Sequence, residues 1–174
     1  MALNINGFLS LIVVALAMIY FLFEPMKLKK IAPGEVAQFS LFSFTMYELD
    51  KTGLTTLMKG NEAVRYADRY VVENIDYSDN SKEYIINIKA KDGLYKGNII
   101  YLDGDVRFKR EDGLNFFSQK VTYNKITDVA ISEVDYISYM GLNQVRGSKI
   151  IYNNKKNTII SKDVYAIYDM QEKN

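Results

Sequence analysis

Hydrophobic positions follow two different patterns, which meet near residue 24. Residues 5–23 form an apolar run without a charged side chain, and its polar members are Asn6, Ser10 and Tyr20. From Gln38 onward, apolar and polar residues alternate in short stretches, as in strands with one buried face. The two patterns predict a single N-terminal transmembrane helix followed by an all-β domain.

The apolar run is long enough to cross a membrane. Its nineteen residues, at about 1.5 Å each, nearly cover a hydrocarbon layer of roughly 30 Å. We expect an uncleaved anchor over residues 1–24 and a juxtamembrane linker over 25–36. A cleaved signal peptide is the alternative, with a cleavage-like triplet at 15–17. Against it, no Lys or Arg precedes Phe8 and the apolar sequence continues past the triplet.

Two features give opposite orientations for this anchor. Lys27, Lys29 and Lys30 follow the run, and the positive-inside rule would place them in the cytoplasm. A short tail before a large C-terminal domain is instead typical of exported single-pass proteins. The charge pattern therefore leaves the orientation open.

Alternation in the central part predicts half-buried antiparallel strands. Three Asp-Gly pairs, at 92–93, 103–104 and 112–113, predict hairpin turns between strands of about seven residues. The alternation slips in phase near Ser132-Glu133, which indicates either a β-bulge or a tight turn that splits two strands.

A weak internal repeat points to stacked hairpins. Gly113-Leu114-Asn115 recurs 28 residues later as Gly141-Leu142-Asn143, and residues 120–124 resemble 149–153. Coincidence between tyrosine-rich strands is the alternative. If the repeat is real, hairpins stack and share one apolar face, as in a jelly-roll-like or meander sheet pair.

Composition excludes several function classes. Lys and Arg number 22 against 21 Asp and Glu, so the basic excess of a general nucleic-acid binder is missing. The chain has no Cys and no His, which excludes disulfides, thiol catalysis, zinc sites and histidine-based acid–base catalysis. We expect no metal, no cofactor and no enzymatic activity. Asp103 and Asp105 could pair in a hydrolase, but they flank a predicted turn.

Three segments carry a resemblance to a known family: 44–53 (FTMYELDKTG), 102–108 (LDGDVRF) and 139–147 (YMGLNQVRG), the last followed by a strand ending near Tyr168. Together with the anchor, this order resembles the LptC family of lipopolysaccharide export proteins over essentially the whole chain. The resemblance implies a twisted β-jellyroll, whose two sheets enclose an apolar groove, and no enzymatic activity.

The resemblance also implies partners and a location. Family members accept lipopolysaccharide from an inner-membrane ABC transporter and pass it to a periplasmic bridge protein of the same β-jellyroll type, through sheet edges. It implies a single-pass protein of a Gram-negative inner membrane, with the domain 37–170 in the periplasm and a polar tail at 171–174. This chain departs from the family in its short linker and in an N-terminal tail without basic residues.

Candidate site residues follow from alternation and from the family's groove. The expected partner edge is the charge-poor last strand, which contains Ile159, Ile160, Val164, Tyr165 and Ile167. For the groove, ordinary core packing is the alternative. The expected lining is Tyr84, Ile86, Ile88, Ile99, Tyr101, Val106, Phe108, Phe117, Val121, Tyr123, Ile150 and Tyr152.

A basic cluster and a second function class complete the expectations. Arg107, Lys109 and Arg110 could contact lipid phosphates or form a solvated hairpin tip. The alternative function is a membrane-tethered structural or assembly subunit of an envelope or secretion complex, such as a pilin-like protein. Such chains carry a glutamate early in the apolar helix, which this run lacks.

Overall fold

The computed structural model describes residues 36–51 and 53–169, which form β-strands joined by short turns. The chain divides into two compact units at Ala32/Pro33, and all described residues belong to the second. The strands are β1 (Phe39–Asp50), β2 (Gly53–Arg65), β3 (Arg69–Asp79), β4 (Ile86–Lys96), β5 (Ile99–Arg110), β6 (Leu114–Asn124), β7 (Val129–Ser132), β8 (Tyr136–Met140), β9 (Asn143–Gly147), β10 (Lys149–Asn153), β11 (Thr158–Lys162) and β12 (Tyr165–Ile167).

The strands form an antiparallel meander that forks. From β1 to β6, each strand pairs with the next. Residues 122–124 of β6 then pair with β7, whereas residues 114–118 pair with β8. One branch continues from β7 to β10 and β11, and the other from β8 to β9 and β12.

The predicted all-β antiparallel architecture is confirmed. The predicted anchor lies outside the described residues, among which no helix is long and apolar enough to span a membrane.

The sheet bends along one line that crosses the six long strands, β1 to β6. Ser43 in β1, Asn74 in β3 and Asp105 in β5 have positive φ angles of 49°, 52° and 50°. Strand pairing lapses or shifts at the same level, between Lys89 and Asp92 in β4 and around Gln119 in β6. These local irregularities act as bulges, which bend a strand and increase its twist.

After β6, the strands are interrupted at the level of the bend and do not continue through it. Residues 133–135 separate β7 from β8, Ser148 separates β9 from β10, and residues 163–164 separate β11 from β12. At the phase slip near Ser132-Glu133 the chain splits into two strands, as the second expectation has it, and not into one bulged strand. The two strands, β7 and β8, join different branches and do not pair with each other. We call the half of the sheet that continues into β7, β10 and β11 the first wing. The half that continues into β8, β9 and β12 is the second wing.

Two of the three Asp-Gly turn predictions are wrong. Asp112-Gly113 lies in the β5–β6 turn, but Asp92-Gly93 lies inside β4 and Asp103-Gly104 inside β5. The strands β1–β6 are therefore 11 to 13 residues long. Gly104 has a φ of +75° at the bend, a conformation that glycine adopts without steric cost.

The weak repeat corresponds to a repeated hairpin. Strand β6 aligns with β9 plus β10, and each is followed by a four-residue turn, at 125–128 and 154–157. In both turns an asparagine side chain accepts backbone hydrogen bonds: Asn124 Oδ1 from Ile126 N at 2.9 Å, and Asn153 Oδ1 from Lys156 N at 3.0 Å. Neighbouring copies pair through β7 and β10, as stacked hairpins should.

The buried core sits on the bend. Among the described residues, the buried apolar side chains are Ile75, Ala90, Val106 and Tyr136, each beside the bend line. The Oγ atoms of Ser118 and Ser132 lie 2.8 Å apart, also buried. The Tyr136 hydroxyl lies 2.7 Å from Ser161 Oγ and so links β8 in one branch to β11 in the other. We call the face that carries this core the inner face.

Candidate functional site

The outer face of the sheet combines cross-strand ion pairs with apolar positions, among them Val71, Leu94 and Ile131 by strand register. The outer face carries cross-strand ion pairs, Lys89–Asp76 at 2.8 Å, Lys91–Asp105 at 2.9 Å and Lys120–Asp103 at 2.9 Å. The inner face is mostly apolar and aromatic in both wings. By strand register it includes Leu41, Val72, Tyr95, Ile100, Leu102, Val121 and Tyr152 in the first wing, and Met46, Met58, Tyr77, Ile88, Phe108, Phe116 and Val145 in the second.

Away from the bend, the inner face is not closed. Val106, on the bend, is 2% exposed, but Phe108 and Phe116 on the second wing and Leu102 and Val121 on the first are only partly buried. A closed β-sandwich interdigitates its two inner faces to form a core. Away from the bend, the inner-face side chains therefore do not form a closed core of that kind. We call the partly buried apolar inner face of the two wings the trough.

Strand register sorts the twelve residues expected in the groove. Ile99, Tyr101 and Phe117 lie on the outer face, so their assignment to a shared inner face is wrong. Tyr84 precedes β4 and is 40% exposed. The other eight, Ile86, Ile88, Val106, Phe108, Val121, Tyr123, Ile150 and Tyr152, lie on the inner face.

The misplaced residues come from runs that are apolar on both faces. Residues 99–102 read Ile-Ile-Tyr-Leu and residues 116–117 are both Phe, so alternation alone could not choose a face. Phe117 instead packs edge-on against Tyr139 on the outer face, with ring centroids 6.2 Å apart. Ile100, Leu102 and Phe116 were missed for the same reason. Their cross-strand partners, such as the Leu102–Val121 pair, could have indicated the correct parity.

A polar cluster lies where the first wing meets the turns. The Tyr123 hydroxyl donates to Asp128 Oδ1 at 2.7 Å, and Asn154 Nδ2 donates to Asp128 Oδ2 at 2.6 Å. Burial, and then the hydrogen bond to Asp128, raise the pKa of Tyr123 to about 12. The same hydrogen bond, followed by that from Asn154, holds the pKa of Asp128 below its usual value. This end of the inner face is thus a mixed polar and aromatic border.

The basic cluster at residues 107–110 does not assemble a phosphate site. Arg107 and Lys109 point to the outer face by strand parity. Arg110 is on the inner parity, but its Nε and Nη2 atoms each donate to Asp112 at 2.8 Å. This bidentate bond raises the pKa of Arg110. The arrangement matches the hairpin-tip alternative.

Both ends of the strand order are open edges in the described structure. Strand β1 pairs with β2 alone and is exposed on both faces except at Phe44, whose ring covers Gly60. The expected last strand is in fact two strands, β11 and β12, at the edges of different branches. The five residues expected to contact a partner are all exposed: Ile159, Ile160, Val164, Tyr165 and Ile167. Their contact with a partner stays a prediction.

Comparisons with known proteins place this chain in a family. The structure of LptH, described as the LptA homologous periplasmic component of the lipopolysaccharide transport device from Pseudomonas aeruginosa, matches with a TM-score of 0.40 and 9% identity. The match covers 75% of this chain and 94% of that one. No curated protein matches the sequence. The family model described as "Lipopolysaccharide-assembly, LptC-related" matches residues 8–169. The chain therefore belongs to the LptC family, and its role lies in lipopolysaccharide transport.

Proposed function

We propose that the trough between the two wings holds the acyl chains of lipopolysaccharide while the molecule passes from an inner-membrane ABC transporter to a periplasmic bridge protein. The observation that carries this proposal is the apolar inner face, whose side chains, among the described residues, are buried along the bend and only partly buried or exposed elsewhere. Each methylene left in water costs about 0.8 kcal/mol, so one acyl chain of about a dozen carbons represents on the order of 10 kcal/mol. A trough that shields such a chain makes transfer through water possible.

An open trough suits transfer better than a closed cavity. A lipid can slide along a groove that is open at its ends, whereas a closed cavity must open and release it. The bulges and hydrogen bonds along the bend hold the wings together, and the trough walls are half-exposed tyrosine, isoleucine and phenylalanine side chains. No covalent step is assigned to this chain. The energy for transport comes from the ATPase of its partner.

The sheet edges supply the contacts to the partners. Strand β1 lies at one end of the strand order, and β11 and β12 lie at the other. Free backbone donors and acceptors on such edges can add a strand from another protein. A transporter domain on β1 and a bridge protein on the C-terminal edge would continue the same trough in both directions.

Residues 5–23 would anchor the protein in the inner membrane as a single-pass helix, with the described domain in the periplasm. The anchor keeps the trough beside the transporter from which it receives lipid. The alternative orientation would place the trough in the cytoplasm, away from a periplasmic acceptor.

Site-specific photocrosslinking in cells tests the trough. Tyr123 and Tyr101 provide a matched pair, because they are tyrosines on neighbouring strands that point to opposite faces. A photoreactive residue at Tyr123 should capture lipopolysaccharide, and one at Tyr101 should not. Equal capture at both positions, or capture at Tyr101 alone, would show that the inner face is not the lipid site.

A further inference from the structure

We propose that the free end of the first wing's inner face carries a binding site for the phosphorylated sugar headgroup of lipopolysaccharide. The site consists of Arg65, Tyr70, Tyr95 and Lys125, which we call the tyrosine rim. It rests on the proposed function, because it assigns the headgroup of the same lipid to one end of the trough.

The four side chains form a continuous row across neighbouring strands. The guanidinium carbon of Arg65 lies 5.4 Å from the ring centroid of Tyr70. The rings of Tyr70 and Tyr95 are stacked, with centroids 6.1 Å apart and planes 27° apart. Lys125 Nζ lies 5.4 Å from the Tyr95 centroid. The row is therefore a platform of two aromatic rings with one cation at each end.

Backbone pairing fixes the platform in place. Arg65 pairs with Tyr70, and Tyr70 pairs with Tyr95. The backbone N–H of Lys125 donates to Asn98 O in the β4–β5 turn at 2.9 Å, which holds Lys125 beside Tyr95. The cations thus approach the two rings from opposite ends through different parts of the chain, the end of β2 and the β6–β7 turn.

The two cations are available to a ligand. Among the ion pairs of the described residues, none involves Arg65 or Lys125, whereas Lys120 and Arg110 are each held by an aspartate. Both side chains are exposed, and Tyr70 is 43% exposed. A cation on an aromatic face contributes about 0.5–1 kcal/mol at an exposed site, which leaves its hydrogen-bonding capacity for an anion.

The position of the rim fits the division of the lipid into chains and headgroup. Tyr95 and Gly93 both lie on the inner face, and Gly93 is in direct contact with buried Ile75 on the bend. At about 3.3 Å per residue, the rim stands roughly 13 Å from the bend residue Lys91. Acyl chains against Leu102 and Val121 would then leave the headgroup at the solvent-facing border.

The chemistry of the rim matches a phosphorylated sugar. Arginine binds a phosphate through two parallel N–H···O bonds, and lysine binds it as a compact charge. The C–H face of a pyranose ring is apolar and can pack on a tyrosine ring, whose hydroxyl stays in water. A disaccharide with a phosphate at each end would lie across the two rings and contact one cation with each phosphate.

Binding of purified lipopolysaccharide to the full-length protein in detergent micelles tests the rim. The lipid is used intact and after enzymatic removal of its phosphates, and the variants are Arg65→Gln/Lys125→Gln and the outer-face control Arg107→Gln/Lys109→Gln. Loss of two charge-assisted contacts should weaken binding of intact lipid about tenfold or more. Binding of dephosphorylated lipid should be unchanged, and the control variant should match the wild type with both lipids. Tyr70→Leu should weaken binding of both lipids, since it removes half of the ring platform.

The possible outcomes separate this site from the proposed function. Binding of intact lipid that is unaffected by the rim variant would overturn the rim and leave the trough standing. If the rim variant loses affinity equally for intact and dephosphorylated lipid, the rim is also overturned. The two substitutions would then be disturbing the fold and not phosphate binding. If inorganic phosphate at equal concentration displaces the lipid, the rim binds anions in general and is not a headgroup site. A wild-type protein that binds neither lipid would overturn the proposed function and the rim together.

Discussion

Ile75 on β3 lies directly over Gly93 on β4: its Cδ1 atom occupies the space that a Cβ on residue 93 would need. Ile75 is one of the four buried apolar side chains in the described structure, and it follows Asn74, whose φ is positive. The glycine therefore serves close packing across the bend and not a turn. This contact fixes where the first wing meets the second on the inner face.

Gly93→Ala should destabilise the domain by about 1–3 kcal/mol, the usual cost of overpacking a buried site. The added methyl group would overlap Cδ1 of Ile75, which must then turn away from its buried position on the bend. Urea unfolding followed by circular dichroism would measure the loss.

Combining Gly93→Ala with Ile75→Val provides the control, because valine lacks the Cδ1 atom that clashes. Ile75→Val alone should cost about 0.5–1.5 kcal/mol. The double variant should be more stable than the sum of the two single losses predicts. Strictly additive losses would mean that the contact does not limit the packing at this site.

Alternation predicted the class of this fold well and its long-range organisation poorly. The all-β class and the repeated hairpins depend on local patterns, which the sequence displays directly. The bend depends on backbone conformations at Ser43, Asn74 and Asp105, residue types that are equally common in turns. Asp-Gly at 92–93 and 103–104 therefore looked like hairpin turns although both lie within long strands.

Alternation also predicted only part of the candidate site. Ile86, Ile88 and Phe108 alternate with polar residues, and their inner position could be predicted. Tyr101 could not be placed, because its neighbours Ile100 and Leu102 are also apolar. Only the pairing of strands, which places Tyr101 opposite Thr122 and Leu102 opposite Val121, assigns the faces.

The Tyr123–Asp128 hydrogen bond should make stability depend on pH at both extremes. Burial and Asp128 raise the pKa of Tyr123 from 10.0 to about 12, so its contribution is complete below pH 10 and is lost as the pH rises toward 12. The pKa of Asp128 is lowered from 3.8, so its contribution is complete above that value and is lost as the pH falls through the folded-state pKa. Urea midpoints measured across both ranges would report this dependence.

Tyr123→Phe should remove the alkaline effect and reduce the acid one, because Asn154 still donates to Asp128. The difference in midpoint between the wild type and Tyr123→Phe should shrink between pH 10 and 12, and again below pH 3.8. Tyr101→Phe, at an exposed outer-face position, is the matched control and should show no such change. A difference that stays constant across the whole range would contradict the coupling.

The division of the C-terminal edge into β11 and β12 allows docking of a bridge protein to be assigned to one branch. We expect β11 to carry it, because β11 has five residues against three in β12 and exposes Ile159 and Ile160 at 65% each. Deleting residues 163–174 should therefore preserve docking, and deleting 158–174 should abolish it. Co-purification of the bridge protein would measure both.

Binding to the transporter provides the control for these deletions, since β1 is untouched by either. Both truncated proteins should still co-purify with the transporter. Loss of docking already in the shorter deletion would assign the contact to β12. Docking that survives both deletions would exclude the C-terminal edge.

Fusion of a reporter after Asn174 tests the orientation that the transfer mechanism requires. The three lysines after the apolar run favour a cytoplasmic domain, whereas a trough that receives exported lipid must lie outside the cytoplasm. We expect alkaline phosphatase fused at this position to be active, because it acquires its disulfides only after export, and a cytoplasmically active β-galactosidase fusion to be inactive. Replacing Lys27, Lys29 and Lys30 with Gln should leave this result unchanged, since a large exported domain outweighs three charges. The reverse pattern of activities would place the trough on the wrong side of the membrane and overturn the proposed transfer.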